Sequence, residues 1–313
     1  MLSFLIRRAV AGIVLVLVVV TVTFLLLRIT GSDPARAAAG QQATAEQVAE
    51  KSRELGLDRP LVTQYGDWLS HAVRGDFGTS WFTGDQVGTL LGNELPVTLS
   101  VVLVGLVLAA VVSAVAGVAA AVRGGWLDKA VQLTAVVGAA IPSFLVALVL
   151  ALFVGVRWKL LPATGYVPLT EAPLDWLRSV TMPAVALAIL ATASMALQIR
   201  GSMLDVLEKD FIRTLRSRGL SSRSLLFRHA LRNAAPPALT VLALLFIGLL
   251  GGSVVVERVF GLSGLGSQAT TAASQGDQPI VLGVVVVTVV LVVVVNILLD
   301  IARGLLDPKV RVR

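Results

Sequence analysis

The sequence predicts an all-α membrane protein with six transmembrane helices, and three observations carry that prediction. Of 313 residues, 56% are hydrophobic and only 14% are charged, with a mean hydropathy of +0.86, too apolar for a chain that must cover a water-facing surface. The apolar residues gather into six runs, at about residues 9–27, 97–122, 130–156, 180–199, 236–256 and 279–299, each near the roughly 20 residues that a helix needs to cross hydrocarbon. The excess of cations sits in the connections of one side, as membrane orientation requires.

The first run follows Arg7 and Arg8 and precedes Ala37, Ala38 and Ala39, an order that imitates a secretory signal. It is longer than a signal-peptide core, so residues 1–30 read as a cytoplasmic N-terminus and an uncleaved first span. With the N-terminus inside, Arg7, Arg8, Arg123, Lys129, eight basic residues between Arg200 and Arg232, and Arg303, Lys309, Arg311 and Arg313 share that side. That is sixteen of the twenty-six Lys and Arg, which puts both termini in the cytoplasm. The formal charge of +7 is thus used up in orientation, and no nucleic-acid partner is expected.

Residues 31–96 form an extracytoplasmic segment, too short for a catalytic domain. Thr44 and Gln47 have the spacing of a capping box at the head of a helical pattern over 44–57. Gly75, Gly78, Gly84 and Gly88 punctuate a loop-like stretch, and Pro96 suits the first turn of the second span. Residues 97–313 make the five-helix core. In its outer loop, 157–179, Trp158, Tyr166 and Trp176 fit an interfacial aromatic belt. The last run is Val-rich between 281 and 295, yet it lacks the alternation of a barrel strand. A helix satisfies its own backbone in lipid, so helix is predicted there too.

The cytoplasmic loop 200–235 is the most informative segment. Leu204, Leu207, Phe211 and Leu215 recur at three- and four-residue intervals as one apolar stripe, with Arg213, Arg216 and Arg218 facing elsewhere. Gly219 stops this helix in the manner of a left-handed cap, and Ser221 or Ser222 starts a second one through Leu225, Leu226 and His229 to Asn233. Pro236 and Pro237 close the unit and open the fifth span. The result is a basic, amphipathic helix–Gly–helix elbow. Such an elbow can lie on anionic headgroups, or it can seat a soluble protein with its apolar stripe as anchor and its arginines as rim.

Several chemistries are excluded or weakened. There is no cysteine, hence no disulfide, thiolate metal site or cysteine nucleophile. The runs carry no ionisable residue mid-membrane, only groups such as Thr134, Gln132, Ser143, Gln198 and Ser253, which argues against coupling to an ion gradient and against an intramembrane hydrolase. No glycine-rich loop ends in Lys-Ser or Lys-Thr; Gly261 to Gly266 lacks the lysine. With His71 and His229 as its two histidines, the chain offers no metal cluster, and His229 reads as a packing or interface residue. A transporter or a channel remains.

The elbow residues, Asp210-Phe-Ile-Arg-Thr-Leu-Arg-Ser-Arg-Gly-Leu220 followed by Arg228-His-Ala-Leu-Arg-Asn-Ala234, resemble the cytoplasmic loop of the dipeptide/oligopeptide/nickel permease family of ABC importers. Leu55-Gly-Leu-Asp-Arg-Pro60 with Gln64 and Tyr65, Gly75-Asp-Phe-Gly78 with Ser80, Glu94-Leu-Pro-Val-Thr-Leu99, Leu161-Pro162 with Gly165, Gly252-Ser-Val-Val-Val-Glu257 with Phe260, and Asp307-Pro-Lys-Val-Arg311 look like its other landmarks. The long segment before the second span is similar to that of the first, B-type subunit. Leu215, Ser217, Arg218 and Ser263 depart from common family residues.

The resemblance implies a type I ABC importer permease fold in the bacterial cytoplasmic (inner) membrane. It implies as partners a second homologous permease, two cytoplasmic ATPase subunits, an extracytoplasmic substrate-binding protein and membrane lipid. ATP and Mg would be held by the ATPase subunits and no cofactor by this chain, a non-catalytic membrane subunit. The ATPase-coupling residues it implies are Asp210, Phe211, Arg213, Thr214, Arg216, Arg218, Gly219, Leu220, Arg228 and His229. Di- or oligopeptides are the expected cargo, with a nickel chelate or another small solute as the alternative, since no charge cluster is available to trap a bare metal ion.

Overall fold

The computed structural model describes residues 2–29, 33–40 and 42–306. Among them the chain is helices and loops, with one isolated antiparallel bridge between Thr79 and Gln86. The landmark at 307–311 and the cations Lys309, Arg311 and Arg313 lie outside the described residues. Five helices are long and apolar enough to cross a membrane: α1 (Leu2–Ile29), α5 (Val87–Arg123), α8 (Pro173–Leu207), α11 (Leu231–Val259) and α13 (Gln278–Leu306).

The third run is not one straight helix. α6 (Gly125–Ala140) and α7 (Ser143–Leu150), the latter continued by a π-helical segment at Ala151–Arg157, are bent by 92° about Ile141 and Pro142. Ile141 takes the extended conformation (φ −88°, ψ 121°) because a following proline ring crowds the helical one. Three other prolines behave differently from expectation. Pro96 lies well inside α5, which already begins at Val87 and takes in Gly88, and Pro236 and Pro237 lie inside α11 instead of opening it. In lipid a broken helix strands several backbone groups, whereas each proline removes only one donor.

The chain divides into two compact units. One comprises residues 2–98 and 263–293: α1, α2 (Pro34–Ala39), α3 (Ala45–Glu54), α4 (Leu61–Ala72), the start of α5, α12 (Leu265–Gln275) and the start of α13. The Thr44 capping box forms as spaced: Thr44 Oγ1 accepts from Gln47 N at 3.3 Å, and Gln47 Oε1 accepts from Thr44 N at 2.9 Å. α3 stops at Glu54, three residues short of the pattern. Val20, Phe24 and Leu282 form a small core that Tyr65 and Trp68 of α4 pack against, so α4 is anchored on α1. Asp277 stands immediately before α13, 1% exposed. Its carboxylate accepts from Ser80 Oγ at 2.5 Å and from Trp81 N at 3.4 Å. Burial pushes this carboxyl above the ordinary range, against the pull of Ser80 and of backbone N–H groups including that of Ile280 in the first turn of α13.

The other unit comprises residues 99–262 and 294–306 of the described chain. α8 is its most buried helix and packs on α6, α7 and α11. Ala184, Ala186, Ala188, Ala191, Ala193 and Ala196 are buried along it, small side chains that let helices approach closely in a medium that gives no hydrophobic drive between them. Gly117 of α5 marks the tightest approach: a Cβ there would lie 2.7 Å from the carbonyl oxygen of Ala196. Of the three aromatics expected at the membrane surface, Trp158 is 60% exposed. Trp176 Nε1 instead donates to Ser100 Oγ at 3.1 Å, and Tyr166 OH meets the same hydroxyl at 3.1 Å, which ties Tyr166 and the start of α8 to α5.

Candidate functional site

The segment between α8 and α11 is where cations, exposed apolar groups and a special backbone conformation coincide. α8 ends at Leu207, and Lys209 is extended (φ −67°, ψ 146°), so a separate helix, α9 (Asp210–Ser217), begins after a sharp break. The predicted stripe from Leu204 to Leu215 is therefore divided between two helices. Its fate differs from expectation as well. Leu207 and Leu215 pack inward against the cluster of Met203, Val206, Ile212, Leu225, Ala230 and Ala234, and Ile212, not Phe211, is the buried residue of α9. Phe211 is left 38% exposed, the one member of the stripe that faces outward.

No side chain caps α9 at Lys209, and its C-terminus is closed by the residues that follow it. Asp210 sits in the first turn, where its charge suits the helix dipole, and pairs with Arg213 at 3.3 Å on an exposed face. Thr214 Oγ1 donates to Asp210 O at 3.0 Å. At the far end Gly219 N donates to Arg216 O (3.0 Å) and Leu220 N to Leu215 O (3.4 Å), the paired bonds of a Schellman motif. Gly219 carries the left-handed φ of +79° that this motif needs. Ser221 then caps the next turn, its Oγ accepting from Ser224 N at 3.3 Å. The chain continues through α10 (Ser222–Ser224) and a π-helical segment, Leu225–Ala230, directly into α11.

Of the ten residues singled out by sequence, Asp210, Phe211, Arg213, Thr214, Arg216, Arg218 and Gly219 are exposed on or just after α9. Leu220 is half-buried; it and Arg216 line a groove of about 480 Å³ that also touches Val122, Arg223, Leu226 and Phe227. Arg228 and the half-buried His229 lie on the π-helical turn, where the carbonyl of His229 accepts from Asn233 Nδ2 at 2.8 Å. The ten thus belong to one elbow, whose inner side is fixed to the α8 and α11 core and whose outer side is basic. Arg216, Arg218, Arg223, Arg228 and Arg232 form no ion pair among the described residues.

One element sequence reasoning missed is a clamp just above the elbow. Arg200 of α8 donates Nη2 to Asp128 Oδ2 of α6 at 2.6 Å and Nε to Oδ1, a bidentate pair with side chains 25% and 18% exposed. No local pattern links residues 72 positions apart, so nothing in the sequence signalled it. Similarly, Arg303 of α13 donates Nη2 to Leu239 O of α11 at 3.1 Å and pairs with Asp300 at 2.9 Å. Both clamps make the ends of the helices that flank the elbow resist independent movement.

Residues 111–312 match the model of the family described as binding-protein-dependent transport system inner membrane component, and residues 1–102 match the model of its N-terminal part. The chain is similar to a Brucella abortus (strain 2308) protein named as a peptide transport system permease protein, 38% identical over 99% of each chain. It is also similar to the oligopeptide transport system permease protein AppB of Bacillus subtilis (strain 168), at 36% identity over 99% of each chain. The glutathione transport system permease protein GsiC of Salmonella choleraesuis is 31% identical, again over 99% of each chain.

Proposed function

This chain belongs to the family of inner membrane components of binding-protein-dependent transport systems, a multi-pass membrane protein, and on that premise we propose that it is the permease half of an ATP-driven importer of short peptides. The relatives named for peptide, oligopeptide and glutathione transport support the cargo. In this reading both termini and the 200–235 elbow are cytoplasmic, the segment 31–96 faces a substrate-binding protein, and a second, homologous permease completes the passage. Two ATPase subunits hold ATP and Mg, and this chain does no bond chemistry itself.

The observation that carries the coupling role is the division of the elbow into two sides. Ile212, Leu225, Ala230 and Ala234 are buried in one core with Met203 and Val206 of α8, so a push on the elbow is transmitted to α8 and α11 as to a rigid body. On the other side Phe211 is an exposed apolar residue on an elbow that also exposes Arg213, Arg218 and Arg228, residue types that a protein interface favours. Closure of the ATPase pair on nucleotide would then bias the spans between two states.

Phe211→Asp is the test. It leaves the buried side untouched, so the chain should insert and fold normally, while the ATPase no longer co-purifies and uptake of a labelled peptide is lost. Full co-purification and uptake by that variant would remove Phe211 from the contact and, with it, this account of the elbow.

A further inference from the structure

Apart from the elbow, the unit formed by residues 2–98 and 263–293 holds a cleft of about 380 Å³, a size within the range of small-molecule sites. Its walls come from the outer end of α1, from α4, from the loop after α4 and from the first turn of α13. Four side chains of opposite charge line it: Arg28, Arg59, Asp67 and Asp76. Two of them cancel, because Arg59 pairs with Asp67. The other two do not. Arg28 donates to the amide oxygen of Gln64 and stands over the ring of Phe24, 5.6 Å from its centroid, but meets no carboxylate among the described residues. Asp76 accepts from Gly78 N at 2.9 Å and meets no cation among them.

The donors of the cleft are incompletely used as well. Arg28 Nε and Trp68 Nε1 are buried and have no hydrogen-bond partner among the described residues, although buried polar groups are ordinarily paired. The surround is held in place: Gln64 Nε2 donates to Arg59 O at 2.7 Å and to Leu57 O at 3.2 Å. His71 Nδ1 is engaged by the carbonyl of Asp67 at 2.8 Å. Trp68, Phe77 and Trp81 supply aromatic wall, which suits an ammonium group.

We propose that this cleft binds a small zwitterion, with Arg28 taking its carboxylate or phosphate and Asp76 its primary ammonium. A site with one unpaired cation and one unpaired anion in a common cavity favours a ligand that brings both opposite charges, since each charge-assisted bond is made to a complementary group and no net charge is buried. Two sources carry that chemistry, a short peptide with free termini and the headgroup of phosphatidylethanolamine. The inference does not depend on the elbow or its ATPase.

The test uses the full chain in its purified transport complex, in phosphatidylglycerol nanodiscs, with L-alanyl-L-alanine as probe in titration calorimetry. Saturable binding is expected, weakened about tenfold or more by Arg28→Gln and by Asp76→Asn, the scale of one lost charge-assisted bond. N-acetyl-L-alanyl-L-alanine and L-alanyl-L-alanine amide should be weakened similarly on the unaltered protein, which tests each end of the ligand without any risk to folding. In a second arm, native mass spectrometry counts phosphatidylethanolamine retained from mixed-lipid nanodiscs. Retention by the unaltered chain that both variants lose, with no dipeptide binding, assigns the headgroup as the zwitterion. Absence of both kinds of binding, or binding indifferent to the two substitutions, overturns the proposal.

Discussion

The close approach at Gly117 allows a prediction whose sign and size follow from the packing. Replacing Gly117 with Ala places a Cβ 2.7 Å from the carbonyl oxygen of Ala196 and 3.0 Å from both Cβ and Cγ2 of Ile199. The first atom is backbone of α8 and the second a stiff, β-branched side chain, so neither can yield by simple rotation. α5 and α8 must separate by about half an ångström, the scale of overpacking that costs about 1–3 kcal/mol. The gain of Ala over Gly within a helix offsets about 0.5–1 kcal/mol of that. A net loss of up to about 2.5 kcal/mol remains, or a melting shift of up to about 10 °C for a domain of this size. Thermal unfolding followed by tryptophan fluorescence in detergent measures it. Gly248→Ala is the control, because nothing lies within 4 Å of a Cβ there, so it should be neutral or stabilising. If Gly117→Ala melts at or above the temperature of the unaltered chain, or if the two variants shift together, the close α5–α8 contact does not exist as described.

Further expectations concern the clamp, the cap and the elbow turn. Arg200→Ala and Asp128→Ala should each destabilise by about 1–3 kcal/mol, the scale of lost charged hydrogen bonds, and the double variant should cost little more than either, as a double-mutant cycle on melting will show. Because Asp277 has its carboxyl raised, the folded state holds a proton that the unfolded chain releases at lower pH. Between the ordinary value near 3.8 and the raised folded value its contribution therefore falls as pH rises and is recovered on acidification. Asp277→Asn keeps a helix-capping side chain and should flatten that part of the stability profile. Gly219→Ala should cost about 1–2 kcal/mol for a left-handed residue with a Cβ. Gly219→Pro, whose ring fixes φ near −65° and removes the N–H bonded to Arg216 O, should abolish uptake while leaving membrane insertion intact.

What the sequence determined by itself was whatever depends on composition and local spacing. Hydropathy located the spanning helices because lipid leaves a backbone no other way to satisfy its polar groups, and the Thr44–Gln47 box and the Gly219 turn were legible because capping is a matter of three or four adjacent residues. Tertiary structure decided the rest. Prolines in and beside the apolar stretches have different fates: Pro142 bends its helix sharply while Pro96, Pro183, Pro236 and Pro237 remain inside theirs. One missing donor is a small term, and the packing around it selects the outcome. The same holds for the stripe at the elbow: periodicity marked Leu207, Phe211 and Leu215 as apolar, but only their neighbours packed two of them against the core and left one exposed. Asp128 with Arg200, Ser80 with Asp277, and Arg28 with Asp76 in one cleft join residues far apart in the chain. No local pattern encodes such meetings, because their partners are chosen by how helices pack and not by how residues follow one another.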